Sequence, residues 1–162
     1  MKKIYLQIII ILTICTTSFA ETKEELVAKY VLENMQQDYI SCYIFYKIGA
    51  EVVKKSNKNG DIAKGIEKSA DASLKLAFET GELMNMNVEF MKTKIQLEMK
   101  KQSDEIDNDY NNASILLKKY GGLCKNLIEN KKKRIDHWEK LVKIYLNKNT
   151  FIKKIIYNII YI

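Results

Sequence analysis

The chain has 162 residues, 47% hydrophobic and 29% charged, which places it among single globular domains and excludes an intrinsically disordered chain. Its net charge is +7, but it contains one arginine, one histidine and no proline. One arginine leaves the bidentate contacts of sequence-specific nucleic-acid binders almost unavailable, and one histidine excludes zinc sites built from two or three imidazoles.

Residues 1–20, MKKIYLQIIIILTICTTSFA, have the three parts of a signal peptide. Lys2 and Lys3 give a positive start, and Ile4 to Cys15 form an apolar core too short to span a bilayer. Ser18-Phe19-Ala20 then places small residues where a signal peptidase reads, with cleavage expected after Ala20. A lipoprotein reading of Leu12-Thr13-Ile14-Cys15 is weakened by Ile14, because the residue before the lipidated cysteine is normally small.

Thr22-x-x-Glu25 is a capping box, and behind it Val27, Val31, Met35, Tyr39, Cys42, Tyr46, Gly49 and Val53 recur at steps of three or four. From Ile40 to Val53 the pattern is apolar on nearly every side, which predicts a helix at the centre of a bundle. The turn cluster SNKNG follows, and Asp61 is placed to cap a second helix. Its inner stripe is Ile62, Ile66, Ala70, Ser73, Ala77, Gly81 and Met84, mostly small residues that allow close helix approach. That helix should end between Gly81 and Asn85, with Asn87 capping the next.

The third segment is the most regular, running through Met91, Ile95, Met99, Gln102, Ile106, Tyr110, Ala113, Leu117, Tyr120, Cys124 and Leu127. It reads either as one long helix over 88–129 or as two joined near DNDYNN. After ENKKKR, Ile135, Trp138, Leu141, Val142 and Tyr145 predict a further amphipathic helix.

Loss of the leader removes Cys15 and leaves Cys42 and Cys124. An even number in an oxidising compartment favours a disulfide; two separate buried thiols are the alternative. From Glu21 to Asn130, 16 lysines face 18 acidic residues, whereas from Lys131 to Ile162 nine basic residues face only Asp136 and Glu139. The positive excess therefore lies at the C-terminal end, and Lys131, Lys132, Lys133 and Arg134 are candidate contacts for an anionic partner.

The stretch YGGLCKNLIENKKKRIDHW resembles the end of small exported all-helical bacterial proteins that carry one early and one late cysteine. The matching positions are Cys42, Tyr120, Cys124 and Trp138, and the resemblance spans residues 40–141. The proline usual before the arginine is replaced by lysines. The resemblance implies a helical fold with a disulfide between Cys42 and Cys124 and brings no activity with it.

No catalytic constellation is visible, and no cofactor is implied. Asp107, Asp109 and Asn111 occupy positions 1, 3 and 5 of a calcium loop, but Asn112 stands where glycine is needed and Lys118 where the bidentate glutamate belongs. His137 has no second imidazole, and a Cys–His nucleophile pair would need a cysteine expected in a disulfide. Tyr39, Tyr43, Tyr46 and Tyr120 would indicate a small-ligand pocket if gathered; packing beside the disulfide is the plainer expectation.

The chain ends on TFIKKIIYNIIYI. At 100° per residue, Phe151, Ile152, Ile155, Ile156, Ile159, Ile160 and Ile162 fall in one half of a helical wheel. Lys153, Lys154, Tyr157, Asn158 and Tyr161 fall in the other. Thr150 stands at an N-cap position. The aliphatic half is a candidate membrane face, and Lys153 and Lys154 are candidate anionic contacts. Docking onto the bundle is the competing expectation.

The sequence thus predicts a signal peptide at 1–20, an all-α single-domain bundle of four to five helices with one disulfide at 21–149, and an amphipathic C-terminal helix at 150–162. The function expected is a non-catalytic exported binding or interaction protein of the bacterial envelope, periplasmic or secreted. Its partner would be an anionic membrane surface or an acidic envelope protein, not nucleic acid. A periplasmic holdase-like chaperone is the alternative.

Overall fold

The computed structural model describes residues 22–56 and 60–160, with side chains as far as residue 148. The expected signal peptide lies outside the described residues. Within them the protein is all-α, with one disulfide and no strand. The helices are α1 (Lys23–Lys55), α2 (Gly60–Leu83), α3 (Val88–Glu105), α4 (Ser114–Glu129) and α5 (Lys131–Ile160), with a 3-10 turn at Tyr110–Asn112.

The capping box forms as the sequence predicts. Thr22 Oγ1 accepts from Glu25 N at 3.2 Å, and Glu25 Oε2 accepts from Thr22 N at 2.7 Å. Two donors that a helix start leaves open are thereby satisfied using only residues from Thr22 onward. Asp38, Tyr39, Ile40, Ser41 and Cys42 are buried at five consecutive positions, so α1 is covered all round at its middle. Every other element packs against α1. This is the hub that the apolar run after Ile40 predicts.

Cross-helix contacts fix the directions. Lys54 pairs with Glu67 at 2.7 Å at one end of α1, and Gln36 lies against Gly81 further along, so α2 is antiparallel to α1. Gln36 meets Lys94 and Ser41 meets Gln102, so α3 is parallel to it. The Phe45 and Tyr120 rings stand 6.4 Å apart, and α4 runs antiparallel along the second half of α1. Arg134 meets Asp38 and Asn147 meets Lys23, so α5 runs antiparallel along the first half. The fourth and fifth helices therefore follow one another down the same helix, separated only by Asn130 in a non-helical conformation (φ −147°, ψ 64°).

Cys42 and Cys124 are bonded, their Cα atoms 5.4 Å apart and both side chains buried. The bridge ties α1 to α4 beside Tyr120, across 82 residues of sequence.

The regular third segment is two helices. α3 stops where Asp107 and Asn108 both take left-handed backbone angles (φ 53° and 56°), with Asn108 N donating to Ser103 O at 2.8 Å. Aspartate and asparagine tolerate this region better than other residues bearing a Cβ. The inner face also differs in detail from the stripes drawn on sequence. Leu116 is 1% exposed and Leu117 62%; Glu98 is 4% exposed, whereas Met99 reaches 36%. On α2 Ala63 is buried and Ile62 half exposed. The reason at Glu98 is the surface opposite it, since α1 presents Gln37 and Ser41 there and a carboxylate can accept from both. Finally, the helix after ENKKKR and the tail are one. The backbone is helical from Lys131 to Ile160, so Thr150 lies inside α5 and does not begin a separate helix.

At Gly81, α2 comes closest to its neighbours. A Cβ there would stand 2.6 Å from Met91 Sδ and 2.8 Å from Gln36 Nε2, both on fully buried side chains. At Gly122 it would meet nothing. Gly81→Ala should therefore cost about 1 kcal/mol net, overpacking outweighing the gain in helix propensity. Gly122→Ala should stabilise by roughly the propensity difference, about 1 kcal/mol or less. Urea midpoints of the two variants moving in opposite directions are the expected result.

Candidate functional site

The best-organised polar group in the fold sits where α5 docks. Arg134 donates from Nε to Asp38 Oδ2 at 2.6 Å and from a terminal nitrogen to Oδ1 at 2.9 Å, while Trp138 Nε1 donates to Oδ2 at 2.7 Å. The guanidinium also lies over the Trp138 ring, 4.5 Å from its centroid. A bidentate fork on a buried carboxylate is the strongest form of this pair, and the indole supplies a third donor. Arg134, grouped on sequence with the anionic-partner contacts, is thus engaged inside the fold. The lone arginine fastens α5 to α1.

A second polar seam joins α1 to α3. Glu98 accepts from Ser41 Oγ at 3.0 Å, Gln37 Nε2 at 3.1 Å, Gln102 Nε2 at 3.0 Å and Lys101 Nζ at 3.0 Å. Lys94 Nζ donates to Gln36 Oε1, and burial holds the Lys94 ammonium below the usual lysine range. Nearby, Glu105 Oε1 accepts from the Tyr120 hydroxyl at 3.0 Å and Lys119 Nζ at 2.6 Å. Burial first, and the bond to Glu105 second, push the Tyr120 phenol far above its ordinary value. Glu98 is surrounded by donors, whereas Glu105 Oε2 is buried without a hydrogen-bond partner among the described residues; neither carboxylate lines the three clefts formed by the other helix faces, and the seam fixes helix position.

Sequence reasoning missed Asp38 and Glu98. Asp38 had a usable signal: a carboxylate beside the apolar run of α1, in a protein with a single arginine. Glu98 had none, because Lys94, Gln96, Lys100 and Lys101 around it give the stretch the look of a solvated helix face.

The remaining candidates sort by position on α5. Lys131, Lys132 and Lys133 are exposed at its N-terminus, and no acidic residue occupies that first turn. Cations at this end oppose the helix dipole, so the turn is electrostatically primed for an anion. His137 is exposed, with its ring 5.2 Å from that of Trp138. At the other end, Lys23 Nζ donates to Asn147 Oδ1 at 3.2 Å, so the first residue of α1 stands opposite Asn147. The backbone of α5 continues helical to Ile160, roughly 20 Å past that point at 1.5 Å per residue. Leu141, Ile144 and Tyr145 are 39%, 54% and 61% exposed before it gets there. The side chains of Phe151, Ile152, Lys153, Lys154, Ile155, Ile156, Ile159 and Ile160 lie outside the described residues.

The four tyrosines line no common cleft, and Tyr43 packs partly buried against the core. Tyr46 lines an apolar groove with Phe45, Tyr39 lines a different cleft with Lys131, and Tyr120 is turned to Glu105. Asp107 and Asp109 serve the α3–α4 turn, where Asp109 Oδ1 accepts from Asn111 N at 2.9 Å. No described helix is long and apolar enough to cross a membrane.

Fold and polar seams define a disulfide-braced all-α bundle built round one long helix. Compared with known proteins, the chain matches no family model, no curated protein and no solved structure.

Proposed function

We propose that this is a non-catalytic, exported interaction protein of the bacterial envelope that meets an anionic membrane surface through the far end of α5. One observation carries the reading: α5 runs on past the start of α1, and Leu141, Ile144 and Tyr145 are already exposed on it. At 100° per residue these three share the half of the wheel that holds Phe151, Ile155 and Ile159. A helix with one aliphatic half, lysine and tyrosine on the other, and no capacity to span suits the plane of a bilayer surface. Lysines near anionic lipid add up to about 1 kcal/mol each. The disulfide is compatible with export, and the capping box at Thr22 leaves α1 complete after cleavage at Ala20.

Residues 21–162 should float with phosphatidylglycerol vesicles and only weakly with phosphatidylcholine vesicles, and removal of residues 150–162 should abolish flotation without lowering Tm. A full-length protein that ignores anionic vesicles, with a truncated one that melts earlier, would assign the tail to the bundle and end this reading.

A second reading, a holdase for unfolded chains, draws on the exposed Leu83, Val88, Phe90 and Leu97 along α2 and α3. Exposed apolar residues of this size mark interaction surfaces when they are contiguous. Suppression of light scattering by an aggregating client, lost on Phe90→Ser and Leu97→Ser, would favour it.

A further inference from the structure

A cleft of 370 Å³ between α1, α2 and α4, bounded by the first residue of α5, holds groups that the bundle leaves incompletely partnered. Tyr39 is on its wall, 2% exposed; its hydroxyl has no partner at hydrogen-bond geometry among the described residues, and the one donor that bears on it is the Lys131 ammonium, which also lies over the ring, 5.9 Å from its centroid. A buried hydroxyl without a partner has given up its bonds to water for nothing and requires an explanation. Lys68 from α2 and Lys131 from α5 line the same cleft, and neither is in an ion pair among the described residues. The carboxylates that bear on Tyr39 are engaged elsewhere: Asp38 with Arg134 and Trp138, and Glu79 with Lys75 at 3.7 Å. The two serines of the cleft are spent too, Ser73 Oγ on Ser69 O and Ser69 Oγ on Gly65 O. The rest of the lining is aliphatic, chiefly Leu76, Leu127 and Ile128.

We propose that this cleft binds a single-chain anionic amphiphile. Its carboxylate or phosphate head would lie among Lys68, Lys131 and the Tyr39 hydroxyl, and its aliphatic chain along Leu76, Leu127 and Ile128.

Three physical points support the assignment. Burial pushes the Tyr39 phenol up, with the Lys131 ammonium pulling against it, so the group keeps its proton and can donate to an anion. An anion there offsets the cations that open α5 at the positive end of its dipole. The volume is at the small end of ligand clefts and suits one medium-length chain, not a diacyl lipid. The site is separate from the tail, so a protein that ignores vesicles but binds the small amphiphile would sink only the membrane reading.

The test is calorimetric titration of residues 21–162 with decanoate, decyl phosphate, decanol and inorganic phosphate, each kept below any micellar concentration. At least one of the two charged amphiphiles should bind saturably at one site, and their ratio distinguishes a carboxylate from a phosphate head. Decanol and inorganic phosphate should each bind about tenfold more weakly or less. Lys68→Ala and Lys131→Ala should each weaken the charged amphiphile about tenfold, with Lys132→Ala unchanged. Tyr39→Phe should weaken binding severalfold while leaving the Tm of the ligand-free protein unchanged or raised, since it removes an unpartnered hydroxyl. Absence of saturable binding, equal binding of decanol, wild-type affinity in both lysine variants, or a lowered Tm in Tyr39→Phe would each overturn the proposal.

Discussion

Asp38→Ala should cost about 3–5 kcal/mol of folding stability, because it leaves the Arg134 guanidinium half-buried without its carboxylate and strips Trp138 Nε1 of its acceptor. The loss should not be recovered by Asp38→Asn, which keeps the shape and one acceptor but not the charge. Replacing both partners with apolar residues of similar volume, Asp38→Leu with Arg134→Met, should restore much of the loss, since a well-packed apolar pair can equal a buried ion pair. Urea midpoints of the two single variants and the double variant, combined as a cycle, measure the coupling. A single variant within about 0.5 kcal/mol of wild type would show that the fork is ornamental. Fluorescence of Trp138, the only tryptophan, reports whether α5 leaves α1 before the rest unfolds.

Reduction of Cys42–Cys124 is the second large effect. Closing a loop of 82 residues is worth about 4 kcal/mol in the chain-entropy account. In a protein of this size that corresponds to a fall in Tm of roughly 10 °C. A melt with and without reductant, repeated on Cys42→Ala/Cys124→Ala, checks the value. Agreement between the reduced protein and the double variant shows that the covalent link, and not the packing of the two sulfurs, carries the effect. The bond lies between α1 and α4 at the most enclosed part of the core, so reductant should act slowly on the folded protein and quickly in mild denaturant.

Local chemistry was the legible part of the fold. Thr22 with Glu25, and Asn87 with Phe90 N at 2.8 Å, cap their helices within four residues of sequence, and no distant partner is needed to read them. The centrality of α1 was legible for a related reason: a helix apolar on all sides has to be covered on all sides. What sequence could not supply was the identity of opposing surfaces. Leu116 and Leu117 are equivalent leucines until the position of α1 selects one. Glu98 looked like any other surface glutamate until Gln37 and Ser41 stood opposite it. Arg134 belonged to a run of four cations in sequence, and only the register of α5 on α1 separates it from its neighbours. The tail was legible as helical but not as an extension of α5, because Thr150 is a good N-cap residue and nothing near it announces that the helix has already begun.

Because the earliest of the described helices to be made is also the one every later described helix rests on, the order of synthesis leaves it waiting for its cover. Ribosomal output delivers Ile40, Ile44 and Ile48 early, and their cover on one side arrives only with the stretch around Leu116 and Cys124. Until then a growing chain carries a sticky, half-dressed rod, and a halt in elongation short of the fourth helix would release a product prone to clumping.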